Sequence, residues 1–374
     1  MKSNYKKLGA YIESINQLND GMEVEELLGI SNNKYFQNSH TNTIGIDLAT
    51  YRIVRTGQFA YNRATTRNGD KISISLRQGN DCIVSPSYRI FRSKDENVLN
   101  SEYLMMWFRR PEFDRYARFK SHGSAHEFFE WEQMTEVELP VPHIDKQREI
   151  VKEYNTIQNR INLNNQLIQK LEETAQAIYR EWFVEGVDLE NLPEGWKVGK
   201  LSDIATIIMG QSPEGDTYNK EGNGMIFYQG RTDFGYRYPD ITTFTTQPKK
   251  KALKNDILIS VRAPVGDLNI AIEDCAIGRG IGALRSKIKC NTHLFYTLQN
   301  LKSHFDISDG EGTIFGSINK DDLHNMEVVY SENEIMKFDK IANPIDNCIK
   351  NYCIQNQKLT ELKELLLSRL ATVE

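Results

Sequence analysis

Residues 149–184 read EIVKEYNTIQNRINLNNQLIQKLEETAQAIYREWFV, and this stretch decides the architecture. Apolar residues recur along it in alternating steps of four and three, which is the spacing of a coiled-coil seam. Ten positions follow that spacing, and all but the polar Asn164 can face an apolar partner: Ile150, Tyr154, Ile157, Ile161, Asn164, Ile168, Leu171, Ala175, Ile178 and Trp182. Such a helix extends roughly 50 Å at 1.5 Å per residue. Because it lies near the middle of the chain, we expect it to separate two larger domains.

Length and charge favour two neutral domains joined by acidic helices. The chain has 374 residues, more than one ordinary core accommodates, and a formal net charge of −5. Residues 1–143 carry 18 Lys and Arg against 18 Asp and Glu, and residues 192–330 carry 16 against 17. The remaining negative charge lies on the predicted helices. This distribution disfavours a uniformly basic nucleic-acid binder but permits local basic faces.

The sequence also indicates the cellular compartment in which the protein is expected. No apolar run approaches the roughly 18 residues that span a membrane, and the polar N-terminus does not resemble a signal peptide. The five cysteines are an odd number and contain no CxxC pair. We therefore expect a cytoplasmic protein with neither a disulfide framework nor a zinc site.

The order of predicted elements is domain, helix, domain, helix. Residues 1–143 mix short β-type runs with a helical stretch at 101–119, and residues 144–185 contain the central helix. The β-rich pattern returns in 186–330 after a Gly- and Pro-containing linker, and 331–374 form a second long helix. The predicted fold class is α+β, with two β-rich domains separated by a pair of long antiparallel coiled-coil helices.

Matching segments indicate an internal duplication. Cys82-Ile83-Val84 corresponds to Cys275-Ala276-Ile277, Gly123-Ser124 to Gly312-Thr313, and Lys170-Leu171 to Lys358-Leu359. The repeat predicts a pseudo-twofold arrangement. Pro344 is a departure, because an interior proline breaks or kinks a helix, and the second helix has an alternative start near this residue.

Five segments resemble, in the right order, the specificity subunit of type I restriction–modification enzymes. KLEETAQAIYREWFV (170–184) resembles the central conserved region, and residues 338–370 resemble the distal conserved region. LPEGWKVGKLSDIA (192–205) resembles the opening of a target-recognition domain, and residues 260–271 with 275–285 resemble its middle. Residues 44–63 resemble part of a first recognition domain, although that domain lacks an LPEGW opening.

The resemblance implies a target-recognition domain at 1–143, a central conserved helix at 144–185, a second recognition domain at 186–330 and a distal conserved helix at 331–374. Such subunits are not catalytic. Each domain reads half of a bipartite double-stranded DNA site, and the helices set the gap and dock two methyltransferase subunits, with restriction subunits as further partners. No cofactor is implied in this chain. S-adenosylmethionine belongs to the methyltransferase, and ATP and Mg belong to the restriction subunit.

Motifs for catalysis are missing from the sequence. The tetrapeptide Asn/Asp-Pro-Pro-aromatic of an adenine methyltransferase is absent, and so is a GxxxxGK[ST] phosphate loop. Gly278-Arg279-Gly280-Ile281-Gly282 is followed by a strand-like segment, which favours a tight β-turn over a cofactor loop. The histidines show no metal-binding spacing.

Residues that suit phosphate or base-edge contacts form the predicted DNA-binding set. They are Tyr61, Asn62, Arg63, Arg67 and His126 in the first domain, and Gln211, Ser212, Tyr228, Gln229, Arg231, Lys249, Lys250, Lys251 and Arg262 in the second. Several of them have a plainer alternative. The lysine run is then a solvated loop, Arg63 and Arg262 make structural ion pairs, His126 is a turn residue, and Tyr228, Gln229 and Arg231 are ordinary polar residues at a strand end.

The end of the central helix is a candidate partner-binding site. Trp182 and Phe183 are predicted to dock a partner, whereas the seam residues are predicted to pack helix on helix, with Asn164 fixing the register. An alternative function is a protein-interaction scaffold that carries two β-rich modules on a coiled coil and does not bind DNA.

Overall fold

The computed structural model describes residues 4–39, 45–64, 71–121, 127–306 and 317–373. The chain divides into two compact units. The first comprises Met1–Ile161 with Lys358–Glu374, and the second comprises Asn162–Gln357. The boundaries therefore fall within the long helices rather than at their ends.

The first unit is built on short strands. The strands are β1 (Tyr5–Lys7), β2 (Ile12–Ile15), β3 (Leu28–Ile30), β4 (Phe36–Asn38), β5 (Arg52–Val54), β6 (Phe59–Asn62), β7 (Ile74–Leu76), β8 (Cys82–Val84), β9 (Tyr88–Ser93) and β10 (Glu138–Pro140). An antiparallel sheet has the order β2-β9-β6-β7, and β1 pairs with β10, β3 with β4, and β5 with β8. In the register of the sheet, Phe59 lies opposite Phe91, and their rings stack at 4.8 Å.

Helices cover this sheet. They are α1 (Ser101–Phe108), α2 (Pro111–Lys120), α3 (Trp131–Thr135) and the beginning of the long α4 (Ile144–Arg180). The sequence predicted one helical stretch at 101–119, whereas the structure has two helices. The reason is Pro111, which has no N–H to donate and is favoured in the first turn of a helix. Phe108 and Phe113, one from each helix, complete the aromatic core with Phe59 and Phe91.

In its described residues, the second unit has two larger sheets and a two-stranded one. Its elements are β11 (Lys197–Lys200), α5 (Leu201–Ile204), β12 (Ala205–Met209), β13 (Tyr218–Asn219), β14 (Met225–Tyr228), β15 (Phe244–Thr245), β16 (Lys251–Ala252), β17 (Ile257–Ser260), β18 (Leu268–Ile270), β19 (Cys275–Ile277), β20 (Ile281–Ser286), α6 (Asn291–Asp306), α7 (Lys320–Asn325), β21 (Glu327–Tyr330) and most of α8 (Glu332–Arg369). The sheet orders are β12-β20-β17-β18 and β13-β15-β14-β19-β16, and β11 pairs with β21. Within the second sheet, β14 and β19 run parallel.

The duplication is visible in the strand order of each unit taken by itself. In β2-β9-β6-β7 and in β12-β20-β17-β18, the earliest strand lies beside the latest, which is followed by the two intermediate strands. The matched triplets Cys82-Ile83-Val84 and Cys275-Ala276-Ile277 form β8 and β19, and each pairs with an antiparallel neighbour. The four-stranded sheets of the two units thus share one strand order.

The long helices run antiparallel to each other inside each unit. In the second unit, the Asn164 amide donates to the side chains of Gln355 and Asn356, at 2.8 Å each. In the first, Lys363 donates to Gln158 at 2.9 Å. Farther along α4 in the second unit, the ring of Tyr179 lies 5.8 Å from that of Phe338, so residue numbers on α8 fall as those on α4 rise. All ten predicted seam positions are buried or half-buried, so the spacing identified the packed face.

Helix α8 is 38 residues long and contains Pro344 in its interior. The alternative start near this proline is therefore wrong. A proline inside a helix forfeits one backbone hydrogen bond and costs about 3 kcal/mol. The burial of Phe338, Ala342 and Ile349 on either side of it offsets that cost. No helix in the described parts of the chain is long and apolar enough to cross a membrane.

Candidate nucleic-acid interface

The turn Gly278–Gly280, between β19 and β20, lies at one edge of the second unit, and several other segments form hydrogen bonds with it. Since β14 and β19 are parallel, their carboxyl ends meet at this edge. The Tyr228 carbonyl accepts a hydrogen bond from the Gly278 N–H at 2.8 Å, and the Gln229 carbonyl accepts one from Gly280 at 3.3 Å. The carbonyl of Gly280 in turn accepts from the Val261 N–H at 3.0 Å. Backbone contacts alone therefore bring residues 228–229 and 261 to the turn.

A fourth segment approaches through a glycine. The Gly210 N–H donates to the Ile281 carbonyl at 2.9 Å, and Gln211 donates to the Ile277 carbonyl at 2.9 Å. The Arg279 N–H donates to the Ser212 hydroxyl at 3.3 Å. A Cβ atom at Gly210 would lie 2.1 Å from the Gly278 carbonyl oxygen, so this approach requires glycine.

The side chains gathered here form what we call the glycine-turn surface: Gln211, Ser212, Gln229, Arg231, Arg262 and Arg279. Five were predicted to contact DNA from the sequence, and the structure brings them together. Arg279 was missed, because the turn was interpreted only as a backbone feature. The available signal was its position between two glycines. A tight turn exposes the side chain at its tip, and here that side chain is a long cationic one.

Two arginines of the glycine-turn surface are available to a ligand. Arg262 and Arg279 are exposed, and neither forms an ion pair with any carboxylate that the structure describes. The structural ion pair suggested as an alternative for Arg262 is thus not seen in those parts of the chain. Guanidinium groups with free donors can bind guanine edges or phosphates.

Arg231 is held differently. Its Nε donates to Asp267 at 2.6 Å, and the same carboxylate accepts a hydrogen bond from Lys302 at 2.6 Å. Burial favours a higher pKa for Asp267, but the hydrogen bonds from Lys302 and Arg231 outweigh it, and the pKa lies below its usual value. Asp267 is therefore ionised at neutral pH and fixes the orientation of Arg231.

The run Lys249, Lys250 and Lys251 borders the same sheet. Lys251 pairs with Ala276 of β19, and the Lys250 carbonyl accepts the Ile277 N–H at 3.0 Å. All three lysines are exposed. They thus flank the strand that leads into the glycine turn, where an ammonium group suits a phosphate contact.

In the first unit the predicted DNA-binding residues are less accessible. Arg63 forms an ion pair with Glu130 at 2.9 Å and lies 4.9 Å from the centre of the Phe128 ring, which agrees with the structural alternative. Asn62 is half-buried, and its side chain accepts the Ala64 N–H at 3.1 Å. Arg67 and His126 lie outside the described residues.

The structure corrects the predictions for Tyr61 and Tyr228. Their exposed fractions are 0% and 1%, so both rings belong to hydrophobic cores instead of a DNA-binding surface. Burial raises the pKa of each phenol. Tyrosine suits a base contact and a packed strand equally well, so the sequence did not separate these two roles.

The partner-binding prediction also needs correction at Phe183. This residue is 5% exposed, and its ring stacks on Tyr179 at 5.2 Å and meets the edge of Phe338 at 5.6 Å. Core packing therefore occupies Phe183. Trp182 is half-buried, with its ring centroid 6.3 Å from that of Phe338, and it retains surface for a partner.

A buried arginine that sequence reasoning missed supports the loop after the glycine-turn surface. The Arg237 side chain is 2% exposed, and it forms ion pairs with Glu172 of α4 at 2.8 Å and with Asp346 of α8. Its guanidinium lies 4.2 Å from the centre of the Phe295 ring. The Arg237 carbonyl accepts the Ile270 N–H at 2.9 Å. This arginine thus anchors residues 231–240 to both helices within the second unit.

Replacing Gly210 with alanine tests the close approach of the backbones. The added Cβ would overlap the Gly278 carbonyl, and we expect a loss of about 1–3 kcal/mol in the free energy of unfolding. Gly215→Ala is the matched control, because no atom lies within 4 Å of its Cβ position. The measurement is the urea midpoint of unfolding of each variant. Equal midpoints for the two variants would contradict the close packing of Gly210 against Gly278.

The described residues contain no group of three or more His, Cys, Asp or Glu side chains arranged to hold a metal ion. The chemistry of the glycine-turn surface is that of amide and guanidinium donors. Such a surface can bind base edges and phosphates through hydrogen bonds.

Comparison with known proteins gives the same assignment in both halves of the chain. The profile of the family described as type I restriction modification DNA specificity domain matches residues 11–173 and again residues 193–364. A protein of Methanocaldococcus jannaschii, provisionally named the MjaX specificity subunit of a type I restriction enzyme, is 34% identical over 254 residues. That alignment covers 64% of this chain and 60% of the relative.

Two further relatives extend the comparison. The HindI specificity subunit of a type I restriction enzyme from Haemophilus influenzae is 21% identical over an alignment 435 positions long, which covers 92% of each chain. The crystal structure of the S subunit of a type I restriction–modification system from M. genitalium has a TM-score of 0.60 at 15% identity. It covers 98% of this chain and 95% of that chain, and it shows a shared fold. With the family profile matched twice along its length, the chain belongs to the family of type I restriction–modification DNA specificity domains.

Proposed function

We propose that the protein is the DNA-specificity subunit of a type I restriction–modification system and that each unit reads one half of a split DNA site. The observation that carries this proposal is the glycine-turn surface. It presents amide and guanidinium donors at the carboxyl ends of two parallel strands, in a chain whose family is defined by DNA specificity.

The chemistry assigns different tasks to the residues of the second unit. Gln229, Arg262 and Arg279 have side chains that pair bidentately with purine edges in a major groove: the arginines through two donors, and the glutamine through one donor and one acceptor. The lysine run carries point charges suited to phosphates, which fix position without reading sequence. Arg231, held by Asp267, presents a guanidinium of fixed orientation.

The chemical steps belong to partners in this proposal. Two methyltransferase subunits transfer methyl groups from S-adenosylmethionine to adenine, and a restriction subunit uses ATP and Mg. This chain has no catalytic role of its own. The absence of methyltransferase and phosphate-loop motifs from the sequence supports that division. Trp182 is the proposed contact at the end of α4 for a methyltransferase subunit.

A gel-shift selection tests the proposal. The purified chain, with its methyltransferase partner, is incubated with a random DNA library at a stated salt concentration, because affinity depends steeply on salt. We expect enrichment of a sequence in two parts. Binding without enrichment of any sequence would favour the alternative, a protein-interaction scaffold.

The long helices are proposed to set the gap between the two half-sites. Helix α4 has 37 residues and α8 has 38. At 1.5 Å per residue, each extends about 55 Å, whereas one turn of DNA extends roughly 34 Å. Helices of this length are long enough to separate two reading surfaces by a turn of the duplex.

Deleting one heptad from both helices tests this spacer role. Residues 165–171 of α4 and 348–354 of α8 are matched segments in the antiparallel pair. Their removal shortens the helices by about 10 Å, which is roughly three base pairs at 3.4 Å each. We expect a shorter preferred gap and unchanged half-sites, measured by DNA selection. A deletion from α4 alone is the control for mismatched helices, and altered half-sites would contradict the spacer role.

A further inference from the structure

A cavity in the first unit contains none of the residues of the glycine-turn surface or of the predicted DNA-binding set. It has a volume of about 590 Å³. Its walls are the segment Asn33–Tyr35, the α1–α2 junction at 109–112, Tyr154 and Gln158 of α4, and Lys363, Glu364, Leu367 and Ser368 of α8. This volume lies in the range of sites for small molecules.

Two cations line the cavity without an acidic partner. Arg109 donates to the Tyr154 hydroxyl at 3.0 Å, and Lys363 donates to the Gln158 side chain at 2.9 Å. Neither cation forms an ion pair with a carboxylate in the described residues. Burial lowers the pKa of Lys363, and the positive charge of Arg109 lowers it further. Two like charges are therefore held close together by neutral side chains.

Arg110 adds a third cation behind them. Its side chain is 7% exposed and lies over the Trp107 ring at 4.3 Å. Nη2 is 3.4 Å from Glu112, but Nε is buried and has no hydrogen-bond acceptor among the described residues. Helix α2 begins at the next residue, Pro111, with no side-chain cap. Its N-terminal backbone also favours negative charge at this position.

The carboxylates around the cavity do not neutralise this charge. Asp114 forms an ion pair with Lys34 at 2.7 Å, and Glu112 forms ion pairs with both Arg110 and Arg115. Glu364 is exposed, and it raises the pKa of Lys363 by less than burial and Arg109 lower it. Arg109 and Lys363 thus leave a net positive cavity.

We propose that this cavity binds a phosphorylated small molecule, with its phosphate between the Arg109 guanidinium and the Lys363 ammonium. The geometry supplies what a phosphate needs: two cationic donors, a third cation in the Arg110 guanidinium, and a helix N-terminus. The cavity exceeds the size of a lone phosphate, and the exposed ring of Tyr35 at its rim offers a stacking surface for a base. The site is independent of DNA reading by the second unit.

Titration calorimetry on the purified full chain tests the proposal. ATP, inorganic phosphate and adenosine are the probes, at matched ionic strength. We expect heat of binding for ATP, weaker binding of phosphate and none of adenosine. Arg109→Gln and Lys363→Gln should each weaken ATP binding about tenfold or more. Thermal unfolding checks that each variant is folded.

Lys358→Gln is the matched control, because this exposed lysine lies on the same helix outside the cavity. We expect it to bind ATP like the unmodified chain. Absence of binding by both ATP and phosphate would overturn the proposal, and so would equal affinities in the 363 and 358 variants. A third outcome would also show that the proposal is wrong. In that outcome the chain binds no nucleotide and Lys363→Gln weakens DNA binding, which would mean that these cations contact DNA phosphates.

Discussion

Replacement of Arg237 with methionine is expected to lower the free energy of unfolding of the second unit by about 3–5 kcal/mol. The Arg237 side chain is 2% exposed, and those of its partners Glu172 and Asp346 are 23% and 13% exposed. Removing the cation leaves two carboxylates facing each other in a poorly solvated site. The loss therefore comes from the stranded charges more than from the broken hydrogen bonds.

The loss should depend on pH in a defined direction. Burial raises the pKa of Asp346 above its usual value, and Arg237 opposes this effect. Without Arg237 the pKa rises further. An acid whose pKa is higher in the folded state destabilises the fold at high pH, and this penalty fades as the pH falls and the group takes up a proton. The variant should therefore lose less stability at acidic than at neutral pH.

Urea unfolding at two pH values measures the effect. Arg92→Met is the matched control, because its ion pair with Glu13 is exposed and should contribute no more than about 1 kcal/mol. The double variant Arg237→Met with Asp346→Asn should recover part of the stability. A loss equal to that of the Arg92 variant would show that the buried ion pairs do not anchor the loop at 231–240.

Replacement of Arg279 with alanine is expected to relax base selectivity at one half-site by about 1–3 kcal/mol, which is roughly five- to 150-fold. Arg279 is exposed at the glycine turn, and its backbone is fixed by the bond to Ser212. A guanidinium in this position can make two hydrogen bonds to a guanine, and alanine makes none. The other half-site should keep its selectivity.

Lys249→Ala separates base reading from phosphate contact. Loss of a phosphate contact weakens binding about equally for all sequences and reduces the dependence on salt. Binding to a panel of single-base variants of the selected site, at several salt concentrations, measures both effects. If Arg279→Ala weakened binding uniformly, as expected for Lys249→Ala, then Arg279 would not be a base reader.

Periodic features were predictable from the sequence. Steps of four and three identified the packed face of α4, because burial of a helix stripe imposes that spacing directly. The matched triplets at 82–84 and 275–277 located the repeated strands β8 and β19, since buried strands keep their apolar character. These signals lie in short stretches of the sequence. They can therefore be identified before any tertiary contact is known.

Features set by tertiary contacts were not predictable. Arg237 resembles any loop arginine in sequence, and its burial depends on carboxylates 65 and 109 positions away. Tyr61, Tyr228 and Phe183 are aromatic residues that suit a ligand as well as a core, and only packing assigns them to the core. The glycine turn was identified as a turn, but the convergence of three other segments on it depends on strand pairing. Residues 228–231 reach the turn because β14 pairs with β19, and residues 210–212 and 261–262 reach it because β12 and β17 pair with β20.

Sequencing of methylated adenines in the host genome, with and without this gene, tests the central claim most directly. We expect methylation that depends on the gene to lie in a motif of two short specified parts separated by a fixed number of unspecified bases. In cells that carry the Arg279→Ala variant, one part should become degenerate and the gap should stay the same. A single uninterrupted motif, or methylation that does not depend on the gene, would contradict the assignment of this chain as a subunit that reads a split DNA site.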